Sequence, residues 1–137
     1  MDPAPESRLA LPSTVLLILG FVDLFRGTLH TFLVRWSAVT FAHLDLSQAG
    51  PDQLVLLGAF GISNLLTGML YIAISLKAKP LAEYVLMIIV AAYAIGFAGV
   101  KIAGVKGQAA FKGKYFMLVY LAVCLVTVIV GHMRRSA

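Results

Sequence analysis

Asp23, Arg26 and His30 are the side chains whose types and spacing could do chemistry. Asp23 precedes Arg26 by three residues and His30 by seven, so on a helix of 3.6 residues per turn all three share one face. A carboxylate, a guanidinium and an imidazole within mutual reach offer three kinds of chemistry: a buried ion pair that fixes one packing, a proton or ion relay, or a pocket for a polar solute. Imidazole is also an axial ligand. Gly27, three residues before His30, leaves room for a flat ring, so haem or chlorophyll-type ligation at His30 is a further reading. Against it, His43 and His132 lie near segment ends rather than at His30's depth, and Arg26 crowds the face.

The run that carries these residues is otherwise long and apolar enough to cross a bilayer, and so are three others. Of 137 residues 61% are hydrophobic and 12% charged, far more apolar than the roughly 45–50% of soluble domains. Mean hydropathy is +0.94. Charged and proline-containing punctuation separates four segments, about residues 12–34, 53–76, 81–103 and 114–133, each near the ~20 residues that span a ~30 Å hydrocarbon core. They take up nearly the whole sequence, with a flexible tail over 1–11 and a basic one over 134–137. No stretch remains for a soluble catalytic domain.

An intramembrane charge costs roughly 2.5–3.5 kcal/mol on insertion scales, so the Asp23 face should turn inward and pair. Small residues recur with it: Gly20 and Gly27 on the first segment, Gly61, Asn64 and Gly68 on the second. In lipid, small residues let backbones approach closely and an amide can bond across helices, which makes Asn64 the expected partner of the charged face. The third segment carries Ala92, Gly96, Gly99 and Ala103 in small-xxx-small spacing, a further expected packing face. Between the first two segments, Arg35 and Trp36 open a mixed aromatic and polar stretch that suits an interfacial position. The short turn Lys77-Ala78-Lys79-Pro80 predicts that the second and third segments are antiparallel neighbours.

The expected fold is therefore all-α: an antiparallel four-helix transmembrane bundle with an interfacial segment between helices one and two. A net charge of +5 belongs first to loops and anionic headgroups, not to nucleic acid. The one cysteine, Cys124, offers no metal-ligand spacing, and no Ser-His-Asp set, phosphate loop or paired-carboxylate site is visible. An even number of spans puts both termini on one side, the cytoplasmic side by the Arg134-Arg135 pair abutting the last span. With no catalytic constellation and no extramembrane domain, the reading is a non-enzymatic accessory subunit. It would dock laterally into a larger assembly of respiratory or photosynthetic type, its partners being lipid and other membrane subunits. The alternative is a small proton-coupled transporter or channel using Asp23, Arg26, His30 and Asn64.

The run Phe25-Arg26-Gly27-Thr28-Leu29-His30-Thr31-Phe32, followed by Leu44-Asp45-Leu46-Ser47, resembles a group of small four-helix bacterial inner-membrane proteins without assigned function. The likeness covers the first span and its loop. The remaining spans are similar only in length and hydropathy, as in DoxX-like proteins. The resemblance implies a bacterial four-helix membrane protein and no activity.

Overall fold

The computed structural model describes residues 5–47, 49–105 and 113–136, with side chains over 9–47, 49–105 and 113–133. Five α-helices follow one another: α1 (Pro5–Phe32), α2 (Val34–Thr40), α3 (Gly50–Lys77), α4 (Ala82–Ile102) and α5 (Gly113–Ser136), with a 3₁₀ turn, Lys79–Leu81, before α4. There is no strand among the described residues. The four long helices are apolar and long enough to cross a membrane, which makes this a multi-pass membrane protein.

Two helix ends depart from expectation. α1 begins at Pro5, so most of the expected tail is helical and Pro12 lies inside the helix instead of opening it. The hydroxyl of Ser13 donates to Leu9 O at 2.7 Å, and Pro12 itself is fully buried. At the other end α5 runs through Ser136, so the helix includes residues 134–136 of the expected basic tail, whose side chains lie outside the described residues. α3 starts as the sequence suggests, with Pro51 in its first positions, Asp52 in its first turn and Ala49 left-handed before it.

The helices meet by two different kinds of packing. α1 and α3 touch backbone to backbone: Gly20 faces Gly68 and Gly27 faces Gly61, so the two run in opposite directions. A Cβ at Gly27 would lie 2.8 Å from Leu65 N and 2.9 Å from Gly61 O, and one at Gly68 would lie 2.8 Å from Gly20 O. The seven-residue recurrence of glycine on both helices makes this approach possible. On its other side α1 presents Leu16 and Leu19 to Ala82, Leu86 and Ile89 of α4 and to Tyr120 and Cys124 of α5, an apolar side-chain core.

α1 is thus the central element, and α3 and α4 barely touch although a short turn joins them. This corrects the expected neighbour pair. The small-residue face of α3 is already covered by α1, so α4 swings across to α1 and α5. The hydroxyls of Thr28, Ser75 and Thr127 donate to the carbonyl four residues back, which leaves them without demand on a partner helix.

Candidate functional site

Asp23 is where three helices are fastened together. Its carboxylate is buried at the level where α1, α3 and α5 converge. Oδ2 accepts the Tyr120 hydroxyl of α5 at 3.0 Å and the Thr67 hydroxyl of α3 at 3.3 Å, while Oδ1 lies 3.4 Å from Arg26 Nη1, one turn on in α1. The guanidinium sits over the rings of Phe116 at 4.6 Å and Phe60 at 5.4 Å, and it also engages Tyr93. Cation–π contact with two rings lets an arginine lie in an apolar setting with less water than it would otherwise need. Tyr120 is braced in turn by Tyr93, stacked 6.0 Å away and 19° from parallel.

His30 does not join this network. Its Nδ1 is hydrogen-bonded to Ser37 Oγ of α2, and its ring lies 6.0 Å from that of Phe60. The expected trio therefore divides into an Asp23–Arg26 pair that holds helices together and a histidine that holds α2 against the end of α1. Asn64 is a second correction. It is buried, yet its Nδ2 has no hydrogen-bond partner, and the glycine register of α1 on α3 sets Asp23 beside Thr67, one turn further along. Thr67 takes the role expected of Asn64 and also donates to the Asn64 carbonyl at 3.2 Å.

Beside this cluster lies a cavity of about 790 Å³, within the ~300–1,000 Å³ usual for small-molecule sites. α1 forms its floor, Leu57 and Phe60 of α3 one wall, Phe116 and Met117 of α5 the other, and Phe41 after α2 its end. Arg26 and His30 are the polar side chains on a lining that is otherwise apolar. Asp23 is not on the lining, so the cavity meets the guanidinium and not the carboxylate.

Of the expected packing residues, Gly20, Gly27, Gly61 and Gly68 form the α1–α3 seam. Among the described residues nothing covers Ala92, Gly96, Gly99 and Ala103: all four are exposed, and a Cβ at Gly96 or Gly99 would have no described neighbour within 4 Å. From Ala91 to Ile102 only Tyr93 is even half-buried, because the apolar core ends near Ile89 and α4 continues past it. Arg35 and Trp36 are exposed on α2, and the Trp36 ring meets Phe41 edge-on at 5.1 Å. Among the described residues no three His, Cys, Asp or Glu side chains gather as a metal site.

No protein-family model, curated protein or solved structure matches the chain. Its function has to be argued from its own geometry. Sequence reasoning missed Thr67, Ser37, Phe60 and Phe116, although a signal existed for some. Phe60 and Gly61 adjoin in sequence, so the residue that opens the seam stands next to the one that covers Arg26. Tyr120 shares one face of α5 with Cys124, Thr127 and Gly131, but nothing local to it names Asp23, 97 residues away.

Proposed function

We propose that this protein is a non-enzymatic accessory subunit that docks laterally into a larger membrane assembly, of respiratory or photosynthetic type. In this reading the four long helices form an antiparallel bundle in the inner membrane of a bacterium. α2 lies at the interface with Arg35 and Trp36 as anchors, and both termini are cytoplasmic.

One observation carries the reading. The outer half of α4 leaves its core and exposes Ala92, Gly96 and Gly99, residues small enough for a helix backbone to approach, and among the described residues nothing lies within 4 Å of a Cβ at Gly96 or Gly99. Small residues at such spacing are what a neighbouring span needs, and the same device joins α1 to α3 inside the protein. The polar cluster supports the same view, since Asp23 is enclosed by donors from α1, α3 and α5 and no hydrogen bond among the described residues links Arg26 to His30. Such a cluster fixes a packing.

The test is purification from native membrane in mild detergent, followed by native gel and partner identification. The wild type should migrate with a second membrane protein, and Gly96→Leu with Gly99→Leu should release that partner while the protein stays helical. Migration of the wild type alone would remove the reading.

A further inference from the structure

The second unassigned feature is the cavity, on a different face from the α4 docking surface and independent of it. Its polar end is at Arg26 and His30, and its floor runs back along α1 through Phe25 and Phe21 to Ile18. At 1.5 Å per residue, Arg26 lies about 9 Å and His30 about 3 Å inside the end of α1 at Phe32, while Ile18 is about 18 Å from His30. Half of a ~30 Å hydrocarbon core is about 15 Å, so the groove has the depth of one leaflet.

The polar groups at its mouth have donors to spare. A guanidinium carries five N–H donors, and Asp23 and Tyr93 together do not take up all of those on Arg26. Its Cζ lies 5.4 Å from the ring centre of Phe60 and 4.6 Å from that of Phe116, and all three side chains line the cavity. His30 has Nδ1 held by Ser37, and a Ser37 hydroxyl that donates there leaves the ring proton on Nε2 as a second donor. At membrane depth, donors without acceptors are costly, and no acceptor among the lining side chains faces them.

We propose that the groove is a lipid site: an acidic phospholipid lays one acyl chain along Ile18, Phe21 and Phe25, with its phosphate accepting hydrogen bonds from Arg26 and His30. The phosphate supplies the acceptors that the described lining lacks, in the bidentate geometry that a guanidinium favours. The aromatic walls supply contact for the chain.

The experiment reconstitutes the full chain in nanodiscs of equal phosphatidylglycerol and phosphatidylcholine, extracts it gently and counts retained lipid by native mass spectrometry. One phosphatidylglycerol should be retained, preferred by about fivefold over phosphatidylcholine, as expected for one cationic donor. Arg26→Gln and His30→Ala should each reduce that preference. Leu57→Trp, which fills the groove without touching Arg26, should displace the lipid while helicity is unchanged. Equal retention of the two lipids by the wild type, retention of a neutral isoprenoid in place of phospholipid, or full retention by Leu57→Trp would overturn the proposal. The wild-type preference needs no variant to fold.

Discussion

The same small-residue pattern occurs twice in this protein and has opposite surroundings. On α1 and α3, Gly20, Gly27, Gly61 and Gly68 bring two backbones together so closely that a single added carbon would meet main-chain atoms at 2.8–3.0 Å. On α4, Ala92, Gly96 and Gly99 recur at comparable spacing and stand exposed, with no described residue within 4 Å of a Cβ at either glycine. Small residues state that a helix can be approached; they do not state by what. In water a bare apolar half-helix would bury itself, but between lipid tails there is no such force, and α4 can stand clear until a partner arrives.

The sharpest way to break this contrast is to put one bulky side chain on each surface. Gly27→Leu places branched carbons where even Cβ lies 2.8 Å from Leu65 N, and α1 and α3 cannot separate without moving Asp23 from Thr67. Overpacking a core usually costs about 1–3 kcal/mol, and more where the obstacle is backbone. Gly27→Leu should therefore lose the folded state in detergent, read as loss of a cooperative thermal transition. Gly96→Leu should leave that transition within about 0.5 kcal/mol of wild type, the range of ordinary surface changes. If both variants melt alike, the two surfaces do not differ in the way the structure places them.

The next test concerns what the filled side holds. Arg26→Leu leaves Asp23 buried with hydroxyl donors only, and removal of one partner from a buried ion pair typically costs about 3–5 kcal/mol. Adding Asp23→Asn removes the stranded charge, so the double variant should be more stable than Arg26→Leu alone. Simple additivity in the cycle would show that the pair is uncoupled. Below this in size stands Tyr120→Phe, which takes one hydroxyl from the carboxylate and should cost about 1–3 kcal/mol in the same assay.

The architecture was legible because its signals are long and local. Four apolar runs, the proline near the start of α3 and the glycine recurrences are each contained in a single helix. Helix adjacency was not legible: the short turn at Lys79–Leu81 suggests neighbours, but which faces pair depends on three helices competing for α1. The Asp23 partners were half legible for the same reason. Spacing pointed to Asn64 of α3 opposite the charge, whereas Thr67, a turn along the same face, is the residue that meets Asp23; that shift follows from the glycine register. The cavity could not be read at all, because its walls come from helices distant in sequence.

The smallest effect belongs outside both surfaces, and it gives the comparison a baseline. Asp45 lies in the loop after α2, fully exposed, where the Ser47 backbone N–H donates to its Oδ1 at 2.9 Å. That bond, with help from the Ser47 side chain, holds the carboxyl below its usual 3.8. A depressed carboxylate contributes stability above its unfolded pKa and loses it as pH falls through the folded value, so the contribution is complete at neutral pH and fades only below the ordinary carboxylate range. The Asp45 carboxyl carbon, followed by NMR, should titrate below 3.8, and Ser47→Pro, which removes the N–H, should return it toward that value. Asp45→Asn should leave both the thermal transition at pH 7 and partner co-migration where they are. A change in either would place this loop inside one of the two surfaces.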